Sequence, residues 1–351
     1  MKGQKRIRDY SIVIGRLKPG NLNAITDVHG VGVGHSTLDH GPIKTGVTAL
    51  LPHSGNIFRD KVLASCHVIN GFGKSIGLLQ IEELGTIESP IVMTNTFSVG
   101  TACDALFDYM ISTNEDIGLK TGTVNPVVCE CNDGYLNDIR GKHIDKEHVF
   151  EAITNANREF EEGAVGAGTG MSCYQLKGGI GSASREIELD SGIYTVGTLV
   201  LTNYGLLEDF QIGRKDAGKA IGNIRKSFDK EKDGGSVIVV IATDIPMTER
   251  QLKRMSKRAA IGINKTGSNF GSDSGDIVIS FTTANRIEHY CEKSFNNINM
   301  LNEKYMDDVF RAAAESTEEA VLNSLVCADT TLGRDGHMRH SLKEYIHKIL
   351  D

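Results

Sequence analysis

The tetrapeptide Asp233-Gly234-Gly235-Ser236 stands directly before the apolar run Val237-Ile238-Val239-Val240-Ile241-Ala242. A flexible acidic-glycine turn therefore meets a β-branched strand, and the residue at the border carries a hydroxyl. If the Gly235–Ser236 peptide bond breaks, Ser236 becomes a new N-terminus with nucleophile and base on one residue. Its α-amine has a reference pKa of about 8, close enough to neutrality to accept the hydroxyl proton. A hairpin turn with a serine at the strand start accounts for the same residues.

Three further segments carry chemistry. Ser274-Gly275-Asp276 ends a glycine- and serine-rich loop and leads into Ile277-Val278-Ile279. Positions i and i+2 of an extended segment face the same side, so Ser274 and Asp276 form a candidate hydroxyl–carboxylate pair, or else a simple Asx or Ser turn. Asn203 closes an apolar strand, where its amide could donate to an oxyanion or merely shape a turn. Glu130 lies inside an otherwise apolar strand, and a buried carboxylate needs a cationic partner. A substrate ammonium would supply one; so would a structural arginine.

Other motifs read as structural. Gly30-Val31-Gly32-Val33-Gly34-His35 lacks the spacing of a dinucleotide fingerprint, and Gly166-Ala167-Gly168-Thr169-Gly170 lacks the ending of a P-loop. Both are expected to be backbone-packing loops. His337 and His340, with Asp335 nearby, complete no zinc pattern, so no metal is expected. No G-x-S-x-G elbow supports a serine–histidine–aspartate triad.

The elements that must position these residues follow from periodicity. Strands are expected over 46–51, 90–94, 123–131, 193–202, 236–243 and 276–282, several of them continuously apolar and hence covered on both faces. Cys129 and Cys131 should share one core-facing side, opposite to Glu130. Helical spacing marks 101–112, 147–160, 248–264, 307–325 and 342–350, with Thr248 and Gln251 matching a capping box. The irregular alternation argues against a doubly wound fold and for a layered sandwich, sheets inside and helices outside. The polar stretch 225–235 is the one internal linker, and it ends at the candidate bond.

With 38 Lys and Arg against 45 Asp and Glu, the net charge of −7 excludes nucleic acid as a main partner. No apolar run suggests a signal peptide or a membrane span, and seven cysteines without a C-x-x-C pair fit reduced thiols. A cytoplasmic protein is expected.

Taken together, several segments resemble the L-aminopeptidase/D-amidase-esterase family, whose members include the β-peptidyl aminopeptidases. They are 23–35, Thr94-Asn95-Thr96-Phe97-Ser98-Val99-Gly100, Asn132-Asp133-Gly134-Tyr135-Leu136-Asn137-Asp138, Gly168-Thr169-Gly170-Met171, Lys177-Gly178-Gly179-Ile180-Gly181, and the Gly235–Ser236 junction with Ala242-Thr243-Asp244. The likeness runs from about Gly15 to about His340.

The resemblance implies an α/β fold, a four-layer αββα sandwich like that of N-terminal-nucleophile hydrolases with altered connectivity, an architecture the ornithine acetyltransferases share. It implies one domain over 1–351, self-cleaved into 1–235 and 236–351, and a homotetramer of such two-piece units with no cofactor. By the same resemblance Ser236 is the nucleophile, Ser274 and Asp276 its acidic relay, and Asn203 the oxyanion donor, with Tyr135 beside them. Asp276 stands where some members carry glutamate. Glu130 would hold the free ammonium of a short peptide, amide or ester. Acyl transfer of the acetyltransferase kind is the competing reaction, but the junction lacks the Ala-Thr-Met setting of that group. A silent binding protein is the other alternative.

Overall fold

The structure is a computed structural model that describes residues 3–226 and 234–350. Asp233 and most of the expected linker lie outside the described residues. In chain order the strands are β1 (Gly32–His40), β2 (Ile43–Leu51), β3 (Asp60–Gly71), β4 (Thr86–Ile87), β5 (Ile91–Asn95), β6 (Val127–Cys131), β7 (Ser172–Cys173), β8 (Leu176–Lys177), β9 (Ile180–Leu189), β10 (Gly192–Asn203), β11 (Ser236–Thr243), β12 (Gly275–Glu288), β13 (Thr331–Leu332) and β14 (Met338–Arg339). The α-helices are α1 (Leu78–Leu84), α2 (Val99–Thr113), α3 (Lys146–Thr154), α4 (Ala217–Arg225), α5 (Glu249–Ser256), α6 (Ala259–Lys265), α7 (Met306–Val326) and α8 (Ile346–Leu350).

Two sheets stack face to face. One has four strands in the order β1-β2-β5-β6, the other six in the order β4-β3-β12-β11-β10-β9. The alternation of side chains along β11 explains the layering. Val237, Val239 and Ile241 join the core under α5, α6 and α7, while Ile238, Val240 and Ala242 join the core between the sheets. Both faces are covered, so the strand is apolar throughout. On the smaller sheet, Val47, Ala49, Val92 and Val128 pack beneath α2 and α3. The result is four layers, helix–sheet–sheet–helix. Cys129 and Cys131 point into the inter-sheet core.

Several expectations change. The glycine segment 30–35, read as a loop, continues into β1 from Gly32. Gly34 is there because α3 comes close: a Cβ on it would stand 2.2 Å from the Ala152 carbonyl oxygen. The helix expected over 147–160 stops at Thr154, and that over 248–264 is two helices, α5 and α6, separated by a turn at Lys257 and Arg258. The segment 342–350 is a 3-10 turn followed by the short α8, and of 123–131 only β6 is strand. Strands β3 and β9 were not expected, because each mixes polar residues into its run. Among the described residues no helix is long and apolar enough to cross a membrane.

Candidate active site

Ser236 opens β11 in the middle of the larger sheet. It pairs antiparallel with Asn203 at the end of β10 and parallel with Gly275 at the start of β12. Three expected site segments thus meet because three strands end side by side. Its hydroxyl donates to the carbonyl of the preceding residue, Gly235, at 2.8 Å. The Gly275 N–H sits 3.2 Å from that same carbonyl oxygen and 3.3 Å from Ser236 Oγ.

Glycine is required on both sides of this contact. A Cβ on Gly235 would stand 2.1 Å from the Asn203 carbonyl oxygen, and one on Gly275 would stand 2.6 Å from the Phe72 carbonyl oxygen. Only backbone this bare lets the two segments close on the hydroxyl. Gly275 was not singled out from the sequence, and its value shows only through the β11–β12 register.

Ser274 Oγ donates to Asp276 Oδ1 at 2.7 Å, and both residues are buried. Asn203 is buried with its amide fixed at both ends. Its Oδ1 accepts the Ser172 N–H at 2.9 Å and its Nδ2 donates to the Asn132 carbonyl at 2.9 Å. A backbone donor on one side and a backbone acceptor on the other allow only one orientation of the amide.

Glu130 is 3% exposed. It accepts the Lys74 backbone N–H at 3.0 Å and the Thr96 hydroxyl. Thr96 reaches it because β5 and β6 run parallel with Thr94 beside Glu130, and because Asn95 Oδ1 caps the turn by accepting the N–H groups of Phe97 and Ser98. Among the described residues no lysine or arginine side chain pairs with Glu130, so its partners are neutral. Each of its oxygens accepts one neutral donor and keeps acceptor capacity for another, and no cationic side chain among the described residues compensates the charge.

Tyr135 is sandwiched. Its ring stacks on His337 with centroids 4.6 Å apart, and the Arg339 guanidinium lies 3.7 Å from its centroid on a cation–π contact. Both partners come from the C-terminal hairpin β13–β14, so His337 packs on a residue expected in the site. The tyrosine, Asn203, Gly234, Gly235, Arg334 and Arg339 line a cavity of about 500 Å³.

A model for peptidase family S58 matches residues 23–339. A β-peptidyl aminopeptidase of Sphingosinicella microcystinivorans is 39% identical over 95% of this chain and 88% of its own. Among solved structures, the PH0078 protein from Pyrococcus horikoshii OT3 superposes with a TM-score of 0.93 at 52% identity, over 98% of each chain. The L-aminopeptidase D-Ala-esterase/amidase from Ochrobactrum anthropi, described as a prototype for the serine aminopeptidases and a new variant among the Ntn hydrolase fold, superposes with a TM-score of 0.89 at 35% identity, over 97% of this chain and 98% of that one. A serine at the mouth of the central strand, four layers of the matching architecture and a family model spanning most of the residues agree: the chain belongs to peptidase family S58 and is a hydrolase, a serine aminopeptidase of the N-terminal-nucleophile type.

Proposed function

We propose that the protein cleaves itself between Gly235 and Ser236 and then removes N-terminal amino acids from short peptides, amides or esters. The observation that carries this reading is the Gly235 carbonyl, which meets the Ser236 hydroxyl and the Gly275 N–H together. In the unbroken chain Ser236 Oγ adds to the Gly235 carbonyl carbon, and the Gly275 N–H stabilises the oxyanion. The C–N bond then breaks, the hydroxyl proton ends on the released amine, and water hydrolyses the resulting ester to a Gly235 carboxylate. What remains at Ser236 is a free α-amine beside its own hydroxyl.

In turnover the substrate ammonium rests on Glu130. Ser236 Oγ attacks the acyl carbon and passes its proton to the α-amine or through the Ser274–Asp276 pair. Asn203, with one Nδ2 hydrogen already on Asn132, offers the second to the oxyanion, and Tyr135 walls the cavity beside it. Removing one such donor typically costs about 3 kcal/mol of transition-state stabilisation. Water then releases the amino acid. The uncompensated charge of Glu130 supports an aminopeptidase in particular, because an endopeptidase substrate brings no ammonium to that point. The names of the relatives point to β-peptides, to substrates of an L-aminopeptidase and to D-alanyl esters and amides.

The reading extends to one domain over 1–351 and a cytoplasmic homotetramer, supported by the family resemblance and by seven cysteines none of which is in a disulfide. Mass spectrometry of the purified, denatured protein tests the core of it. Two pieces are expected, one beginning with Ser236, and Ser236→Ala is expected to give one intact, inactive chain. Normal turnover by that variant refutes the role of Ser236. Native mass measurement reads the tetramer.

A further inference from the structure

Lys177 is fully buried, and no step assigned to Ser236 uses it. Its ammonium donates to three backbone carbonyls, those of Gly168 and Met171 at 2.9 Å and that of Gly178 at 2.7 Å. A buried cation is costly unless its hydrogens are met, and these bonds use all three. Burial still pulls its pKa down to about 7, against the opposing fields of Asp39, Asp133 and Cys173. An apolar side chain would fill the same space without that cost, so the ammonium has a reason beyond packing.

The geometry supplies one. The Met171 carbonyl shares its peptide unit with the Ser172 N–H, which donates to Asn203 Oδ1 at 2.9 Å. One chain of hydrogen bonds thus runs from the Lys177 ammonium through that peptide to the Asn203 amide, and each bond polarises the next. A cation at one end draws electrons toward itself and makes the Asn203 Nδ2 hydrogens, at the other end, stronger donors.

The same side chain steadies the ground beneath Asn203. Ser172 and Lys177 pair across the hairpin β7–β8. Its turn holds Tyr174 and Gln175 at φ of 53° and 56°, left-handed values that side chains adopt at a cost. Beyond Lys177, the Gly179 carbonyl accepts the Thr202 N–H at 3.0 Å, one residue before Asn203. We propose that Lys177 is a positioning residue for the oxyanion donor, holding and polarising the Met171–Ser172 peptide that orients Asn203. The proposal rests on the reading of Asn203 above. An oxyanion exists only beyond the ground state, so the effect falls on kcat rather than on KM.

The test is a double-mutant cycle of Lys177→Met and Asn203→Ala. Methionine keeps an unbranched side chain and removes the three donors. Kinetics are read on β-alanyl and L-alanyl para-nitroanilides, per mole of cleaved chain counted by denaturing mass spectrometry. Self-cleavage draws on the Gly275 N–H, so cleaved protein is expected from each variant. Asn203→Ala is expected to lower kcat about a hundredfold or more. Lys177→Met is expected to lower it about tenfold with KM within about twofold, less than the roughly hundredfold that a misplacement of about 1 Å costs. In the Asn203→Ala background the same substitution is expected to cost less than about twofold, because its route to the oxyanion is already gone.

Should Lys177→Met not fold, Lys177→Gln, which keeps two N–H donors, carries the cycle. A loss of equal size in both backgrounds overturns the proposal, as does an unchanged kcat or a loss carried by KM alone. Near-normal kcat in Asn203→Ala overturns the reading of Asn203 itself, and the proposal falls with it.

Discussion

Glu130 is buried against a backbone N–H and a hydroxyl, with no cationic side chain among the described residues to balance it. Its charge therefore acts on whatever cation enters. Glu130→Gln keeps the shape but removes the charge, and it exchanges one of the two accepting oxygens for an NH2 donor. It is expected to lower kcat/KM by about ten- to a hundredfold, mainly through KM, and to leave a substrate lacking the ammonium unaffected. Equal losses on both substrates would remove Glu130 from ammonium binding. Asp133, next to the Asn132 carbonyl that holds Asn203, is fully buried, and burial pushes its carboxyl up to about 7 against the hydrogen bonds from Thr45, Asn137 and Asn95. An acid with a raised native pKa binds its proton more tightly when folded. The stability it contributes is whole below about pH 4 and is lost as pH rises through about 7. Thermal melts at pH 5 and pH 8 should show a larger fall for the unsubstituted protein than for Asp133→Asn; equal falls would contradict the burial argument.

At the scale of elements, the site exists because β11 runs parallel to β12 and antiparallel to β10, which brings Ser236, Gly275 and Asn203 to one edge. The strands behind them must lie flat and close. Helix α7 rests directly on β9, where a Cβ on Gly181 would stand 2.0 Å from the Ala320 carbonyl oxygen. Gly181→Ala must therefore shift backbone against backbone. The expected cost is about 1–3 kcal/mol or more, the usual penalty of overpacking, read as a lowered midpoint in urea. An unchanged midpoint would mean that α7 has room to move. The elements also show what periodicity could reveal. The continuous apolar runs of β11 and β12 and the spacing of α7 were legible, because their faces meet apolar layers directly. Strands β1, β3 and β9 were not, since glycines and buried hydroxyls there answer to neighbouring helices rather than to a repeating pattern.

Across the whole molecule, the two pieces expected from self-cleavage are interleaved. Strands β11 and β12 of the C-terminal piece lie between β10 and β3 of the N-terminal piece. A buried ion network adds a second tie. Arg185 pairs with Glu319 at 2.7 Å and donates to the Ile14 carbonyl at 2.8 Å, while Arg8 reaches Glu319 at 2.6 Å. After cleavage the pieces should migrate as one unit and separate only in denaturant. Glu319→Ala would leave a fully buried guanidinium without its closest carboxylate, at a cost of about 3–5 kcal/mol. A thermal midpoint within a degree of the unsubstituted protein would show that water replaces the partner.

What the sequence determined by itself was chemical identity and local form. A serine after two glycines at a strand start, a carboxylate inside an apolar strand, and a serine and aspartate two residues apart all follow from residue type and short-range geometry. So did the family, since its motifs are local strings. Tertiary structure alone decided which backbone N–H faces the Gly235 carbonyl, that Glu130 meets neutral partners, and that Arg334, His337 and Arg339 close around Tyr135. Those contacts join segments between 34 and more than 200 residues apart. Strand register and layer stacking set them, and neither is written in the periodicity of any one segment.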